Sequence, residues 1–169
     1  AAWAALARRF GRLPLTSTMR PAITYAEQGF PVSPVIAERW AVAFQGYRAQ
    51  PGDEFRPWLE TFAPGGRTPA AGERWRLPDQ GATLTAIAES NGEVFYRGTL
   101  AERIEAFLSR YSGYLTAGDL AAYYPEWVEP ISINYRGYDV WEIPPNGHGL
   151  VALMALNILK GFEFTAIDS

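Results

Sequence analysis

The chain has 169 residues, of which 48% are hydrophobic and 20% are charged, a composition that is typical of a folded protein and excludes a disordered one. Its formal net charge of -3 at pH 7 lacks the clustered excess of Lys and Arg that nucleic-acid binding requires, so no nucleic-acid partner is expected. The absence of cysteine, a single histidine (His148) and the lack of an apolar run of roughly 18 residues together predict no disulfide, no metal, no cofactor and no membrane span.

Two amphipathic helices are predicted at the start of the chain. Apolar residues have helical spacing over positions 1–10, and Gly11 follows where a left-handed residue would end the helix. A second helix is predicted over about positions 16–28, because Ile23, Tyr25 and Ala26 supply an apolar stripe and Gly29 ends the helix, although Pro21 limits its start. Its candidate N-caps are the hydroxyls of Thr16, Ser17 and Thr18.

A third helix and an irregular region follow. Ser33 and Pro34 are a common pair of N-cap and first helical residue, so the third helix is predicted to begin there. Frequent Pro and Gly residues interrupt positions 46–80, where only a short helix over about Glu54–Phe62 is predicted. The predicted buried face of the third helix consists of Val35, Ile36, Trp40, Ala43 and Phe44.

Four further helical segments are predicted before the periodicity changes. One begins at Pro78, a helical turn follows over Glu93–Arg97, and Thr99–Ser109 has an apolar face opposite its charged residues. Thr116 is predicted to cap a short helix that has Asp119 in its first turn.

The last quarter of the sequence predicts a β-hairpin and a helix. Apolar residues between Trp127 and Ile143 indicate two strands joined at Arg136-Gly137, and Pro144-Pro145 ends the second strand. The apolar stretch over positions 150–159 predicts a buried helix, which a polar tail follows over positions 161–169. The predicted fold class is therefore α+β, a mostly helical segment with one β-hairpin.

The connection between the hairpin and the last helix is the candidate binding site. It consists of Asn146, Gly147, His148 and Gly149. The glycines allow positive φ and close approach of another group, and Asn146 could cap the helix. Because the first N–H groups of a helix lack partners, a substrate carboxylate or carbonyl could bind here with His148 facing the same cleft. The alternative is a structural connection that satisfies only its own backbone, and the sequence leaves both open.

Two other groups of polar residues are weaker candidates. The carboxylates of Asp119, Glu126 and Glu129 could serve acid-base chemistry, but their spacing does not bring them together, which favours a solvated surface. The hydroxyls at positions 16–18 have no neighbouring base in the sequence, which favours capping over nucleophilic chemistry.

Motifs distributed along the whole chain resemble the γ-glutamyltranspeptidase family. Their common order and spacing carry the resemblance, since each motif is short. They are Ala4-Ala5-Leu6 with Phe10 to Pro14, Pro21-Ala22-Ile23 with Ala26 to Ser33, Gly81 to Ala88 in place of the family's TLRAIAE helix, Phe95 to Gly98, Gly113 to Leu120, and Tyr135 to Tyr138.

The resemblance implies a self-processing enzyme. Members are zymogens that cut themselves into a large and a small subunit, forming an N-terminal nucleophile hydrolase with an αββα sandwich. The nucleophile is a threonine at the new start of the small subunit, and its own α-amine is the general base. Residues 1–169 then correspond to one segment of the large subunit, truncated at both ends, with the small subunit as partner. None of the threonines from Thr16 to Thr165 has the nucleophile's context, so no catalytic residue is expected in this chain.

The candidate loop departs from the family pattern. The family's Pro-Pro-Pro-Ser-Ser-Gly-Gly run is replaced here by Pro144-Pro145-Asn146-Gly147-His148-Gly149, which is more similar to the branch of oxamate amidohydrolase. The resemblance implies transfer or hydrolysis of γ-glutamyl amides such as glutathione. Two alternatives stay open: a small-amide amidohydrolase, and a helical interaction domain without catalysis. A periplasmic or extracellular location would accompany the first function and a cytoplasmic one the amidohydrolase.

Overall fold

The structure, a computed structural model, describes residues 1–164. The end of the predicted polar tail, including Thr165, lies outside the described residues. The chain divides into two units, residues 1–124 and the residues from Pro125 onward, and each is described separately.

Helices make up most of the first unit. They are α1 (Ala2–Phe10), α2 (Leu15–Gln28), α3 (Pro34–Arg48), α4 (Arg56–Phe62), α5 (Pro78–Glu89), α6 (Glu93–Arg97), α7 (Thr99–Ser109) and α8 (Ala117–Ala122). Short 3-10 turns lie at Asp53–Phe55 and Pro64–Gly66. The predicted helices are thus all present in this unit, because caps, breakers and apolar spacing are local signals.

A two-stranded antiparallel sheet in the first unit was not predicted. Strand β1 (Phe30–Pro31) pairs with β2 (Arg74–Trp75), with Phe30 opposite Trp75. The Val32 N–H donates to the Glu73 carbonyl at 2.9 Å, which extends the pairing. Strands of two residues are too short to show a period of two, so the sequence contains no signal for them.

Two apolar clusters stabilise the first unit. Helix α2 packs along α5. The cluster that includes this contact contains the buried residues Ala4, Leu15, Met19 and Ala88. An aromatic cluster between α3, α4 and β2 places the Trp40 ring 5.3 Å from the Trp75 ring and 5.9 Å from the Phe62 ring. Trp40 Nε1 also donates to the Phe62 carbonyl at 2.8 Å.

The start of α2 differs from its prediction. The helix begins at Leu15, after Pro14, and no side chain caps it, so the proposed capping by the hydroxyls at positions 16–18 was wrong. Pro21 lies inside the helix and deprives the Ser17 carbonyl of its usual donor. Ser17 is exposed, so water can satisfy that carbonyl, while packing against α5 stabilises the helix.

Two further local predictions for the first unit were wrong. Gly11 ends α1 in an extended conformation, with φ of -72° and ψ of 139°, instead of a left-handed one. Val35 and Ile36 were predicted to be buried, but 65% and 47% of their surfaces are exposed. Within this unit α3 packs through its middle, around Trp40, and its first turn lacks a neighbour to cover it.

The second unit contains the predicted hairpin and final helix. Strand β3 (Ile131–Tyr135) pairs with the antiparallel β4 (Tyr138–Glu142), and α9 (Gly149–Leu159) packs against both strands. Arg136 and Gly137 both have positive φ, 52° and 88°, as a two-residue hairpin turn of type I′ requires. The strands are shorter than predicted, since Trp127, Val128 and Ile143 lie outside them.

Helix α9 is much less buried than its sequence predicted. Among its residues only Leu153 is buried in the described chain. Leu150, Val151, Met154, Ile158 and Leu159 are exposed. The hairpin covers one side of the helix and leaves the other apolar side open to solvent. No helix among residues 1–164 has both the length and the hydrophobicity of a bilayer-crossing segment.

Candidate functional site

The candidate loop lies at the junction of β4 and α9, as the sequence predicted. Asn146, Gly147 and His148 are exposed, and Gly149, the first residue of α9, is half-buried. The loop is therefore accessible to a ligand on the surface of the second unit.

The backbone of the loop differs from the prediction in two respects. Neither Gly147 nor Gly149 has positive φ, so these glycines do not serve a left-handed turn. Asn146 does not cap α9, because the N-cap position belongs to His148, two residues later, and no side chain bonds to the first turn. The His148 carbonyl accepts from the N–H groups of Val151 at 3.0 Å and Ala152 at 3.2 Å.

Free donors remain at the start of α9. Within the described chain, the N–H groups of Gly149 and Leu150 have no acceptor. Donors in this position can bind a carbonyl oxygen or an anionic group, and the helix dipole favours negative charge there. The loop can thus provide hydrogen bonds to a substrate, but it contains no arrangement of nucleophile and base.

One close neighbour of the loop was not predicted. The side chain of Glu142, the last residue of β4, lies directly against Gly149. The alternation of β4 places Glu142 on one face of the strand, but no sequence pattern indicates which part of the following helix it contacts.

The other polar candidates have structural roles. Thr116 and Asp119 form a capping box at α8, in which each side chain accepts from the other residue's backbone N–H, at 3.1 Å and 2.8 Å. The Thr116 hydroxyl also donates to the Asp119 carboxylate at 2.6 Å, and this bond, together with the one from the Thr116 N–H, lowers the pKa of Asp119. The Thr18 hydroxyl donates to the Leu15 carbonyl at 3.0 Å, and Glu126 and Glu129 are exposed. Glu126 and Glu129 thus lie on a solvated surface, as the sequence favoured, whereas the Thr18 hydroxyl bonds inside α2 and does not cap it.

An ion pair between Arg67 and Glu73 holds the irregular segment that leads into β2. The guanidinium donates two bonds to the Glu73 carboxylate, at 2.8 Å and 3.0 Å, and the Ala70 N–H donates a third at 2.9 Å. The bonds from Arg67 and Ala70 lower the pKa of Glu73 from its usual 4.5. Since Glu73 also pairs with Val32 through its backbone, this carboxylate orders the segment next to β1.

We expect this pair to make stability depend on pH. Because the folded-state pKa of Glu73 is lowered, its charge stabilises the folded chain above about pH 4.5, and the contribution is lost as pH falls through the folded-state pKa. Glu73→Gln should therefore lower the melting temperature slightly at pH 7, and the difference from the unaltered chain should narrow below about pH 4.5. Glu38→Gln, at an exposed position of α3, is the control. A Glu73→Gln difference that is independent of pH would contradict the assignment.

Comparisons with known proteins agree with the resemblance. The γ-glutamyltranspeptidase family model matches residues 1–169. The chain is 36% identical to the glutathione hydrolase-like YwrD proenzyme of Bacillus subtilis over 166 residues, 98% of this chain and 31% of that protein. It is 34% identical to the oxamate amidohydrolase proenzyme of Klebsiella pneumoniae over 156 residues, 92% of this chain and 29% of that protein. The crystal structure of a cephalosporin acylase from Bacillus halodurans matches with a TM-score of 0.94 and 58% identity, over 99% of this chain and 32% of that one.

The α+β fold and these similarities define the class as the N-terminal nucleophile hydrolases. The chain belongs to the γ-glutamyltranspeptidase family, which confirms the assignment made from the motifs. It spans about a third of the length of the curated relatives it matches.

Proposed function

We propose that this chain is a segment of the large subunit of a self-processing amide hydrolase or transferase. In this proposal the precursor cuts itself, and a threonine outside this chain attacks the amide carbonyl and forms an acyl-enzyme. Water or an amine then takes the acyl group. The observation that carries the proposal is the family match over the whole chain, together with relatives that are themselves named proenzymes.

The exposed apolar side of α9 supports the proposal that a protein partner binds there. Five apolar residues of this one helix, from Leu150 to Leu159, are exposed, which is typical of a surface covered by another part of an assembly. We propose the small subunit of the same precursor as the partner, which completes the αββα sandwich around the second unit.

We propose γ-glutamyl amides such as glutathione as the acyl donors. The B. subtilis relative named glutathione hydrolase-like supports this choice. The Asn146–Gly149 loop then lies at the edge of the acyl pocket, where its free N–H groups bind a carbonyl or carboxylate of the donor.

A second candidate is hydrolysis of amides without a γ-glutamyl group. It is favoured by the 58% identity to a cephalosporin acylase and by the loop, where Asn146 and Gly147 replace the two serines of the family's run. Donors of this class include small amides such as oxamate and the acylated amine of a cephalosporin. Both candidates use the same nucleophile and differ only in the acyl pocket.

Assays of the full-length, self-cleaved protein separate these functions. We expect release of p-nitroaniline from γ-glutamyl-p-nitroanilide, with slower turnover of oxamate and of an acylated cephalosporin. Faster turnover of either of the latter would support the second candidate. Inactivity toward all three, with no threonine at the expected cleavage point of the precursor, would leave the third alternative, a helical interaction domain.

Asn146→Ala tests whether the loop contacts the substrate. In the full-length protein we expect kcat/KM to fall at least about tenfold, the equivalent of about 1.4 kcal/mol. Self-cleavage should be normal, because the side chain bonds to nothing else in the described chain. Asn157→Ala, the same change at an exposed position of α9, is the control. An unchanged kcat/KM in Asn146→Ala would reduce the loop to a structural connection.

A further inference from the structure

The side chain of Glu142 lies so close to Gly149 that it leaves no room for a side chain there. A methyl group in the Cβ position of Gly149 would lie 2.6 Å from Glu142 Oε2, 2.7 Å from its Cβ and 3.0 Å from its Cδ. Carbon atoms in ordinary contact are roughly 3.5–4.0 Å apart. The space beside Gly149 is therefore already filled by Glu142.

The nature of the contacting atoms decides how costly a side chain at position 149 would be. A carboxylate can rotate away, but Cβ of Glu142 is fixed to the backbone of β4. That backbone is in turn fixed by pairing of Glu142 with Ile131 on β3. A Cβ at position 149 must consequently move α9 away from the strand.

The surroundings of Gly149 differ from those of Gly147, the other glycine of the loop. A Cβ on Gly147 would meet nothing within 4 Å, and neither glycine has positive φ. Conformational freedom does not explain the presence of glycine at either position, and close packing explains it at position 149 alone. An alanine at the first residue of a helix is otherwise favourable, since glycine is the weaker helix former.

From this geometry we propose that Glu142 is a positioning residue for the Asn146–His148 loop, and that it acts by packing against Gly149. The contact fixes the distance between the end of β4 and the first turn of α9. The loop spans these two points, so the contact determines where Asn146 and the free N–H groups of Gly149 and Leu150 lie. The link to catalysis rests on the proposed function of the loop, whereas the packing contact does not.

The test uses Gly149→Ala in the full-length precursor, with Gly147→Ala as the matched control. We expect Gly149→Ala to lower the melting temperature and to speed hydrogen exchange at Val151 and Ala152, whose N–H groups bond to His148. After self-cleavage, KM for γ-glutamyl-p-nitroanilide should rise by about tenfold or more with a smaller change in kcat, because the threonine lies elsewhere. Gly147→Ala should leave the melting temperature and the hydrogen exchange unchanged, because its added methyl group meets nothing within 4 Å.

Rescue identifies Glu142 as the partner. In a Glu142→Gly background the added methyl group has room, so Gly149→Ala should no longer change the melting temperature, the exchange or KM. Glu142→Gln retains the Cβ and should give no rescue.

The outcomes separate this inference from the function on which it rests. If Gly149→Ala and Gly147→Ala have equal melting temperatures and equal hydrogen exchange, or if Glu142→Gly does not rescue Gly149→Ala, the proposed packing contact is wrong. If Glu142→Gly restores the melting temperature but Gly149→Ala does not change KM in either background, the proposed positioning role is wrong. If the unaltered precursor cleaves no amide, the proposed function fails, and hydrogen exchange in the loop then decides whether Glu142 positions it.

Discussion

Replacing Trp75 with alanine is expected to lower the free energy of unfolding by about 3–5 kcal/mol. Only 7% of the Trp75 surface is exposed, and its ring packs edge-on against Trp40 with centroids 5.3 Å apart. Removal of the ring deletes one of the largest buried side chains of the first unit and leaves a cavity between α3 and β2. It also weakens β2 itself, whose pairing with β1 is only two residues long.

Urea unfolding followed by far-ultraviolet circular dichroism measures the change in the free energy of unfolding. Two phenylalanine variants, Trp75→Phe and Trp40→Phe, are the controls. Trp75→Phe keeps an aromatic contact and removes an indole N–H that has no hydrogen-bond partner in the described part of the chain. Trp40→Phe removes the same group but also breaks the 2.8 Å bond to the Phe62 carbonyl, which contributes about 1 kcal/mol. The expected order of cost is Trp75→Ala, then Trp40→Phe, then Trp75→Phe. A Trp75→Ala variant within about 1 kcal/mol of the unaltered chain would contradict the role of this cluster.

The purified 169-residue chain alone is expected to hydrolyse no amide above the uncatalysed rate. The proposed nucleophile is a threonine whose own free α-amine is the general base. Each threonine in this chain is internal, so its nitrogen is part of a peptide bond and cannot accept a proton. Several of their hydroxyls are already bonded, as for Thr18 to the Leu15 carbonyl and Thr85 to the Gly81 carbonyl.

The measurement compares this chain with the full-length, self-cleaved protein in the γ-glutamyl-p-nitroanilide assay. Activity is expected only in the full-length protein. An inactive chain with a normal circular dichroism spectrum separates a missing nucleophile from a failure to fold. Amide hydrolysis by the isolated chain at a rate near that of the full-length protein would falsify the proposed placement of the nucleophile.

Elements with local signals were predicted well. The bounds of α7, Thr99–Ser109, agree with the prediction, as do the Ser33 N-cap with Pro34 at the start of α3 and the capping box of Thr116 and Asp119. The hairpin turn at Arg136-Gly137 was also predicted correctly. Each depends on residues within about four positions of one another, which is the range over which caps, turns and periodicity act.

Elements that depend on distant residues were predicted poorly. The pairing of β1 with β2 joins positions 30 and 75, and Pro21 is accommodated inside α2 because that helix packs along α5. Val35 and Ile36 showed that an apolar position is buried only where a neighbour covers it.

The sequence by itself determined the family, the α+β class and the position of the candidate loop between β4 and α9. These rest on local patterns and on the order of short motifs along the chain. Only the tertiary structure decided that the loop glycines are not left-handed, that Asn146 does not cap α9, and that Glu142 packs against Gly149. The physical reason is that side-chain packing depends on the distance between elements, and a linear sequence does not specify that distance.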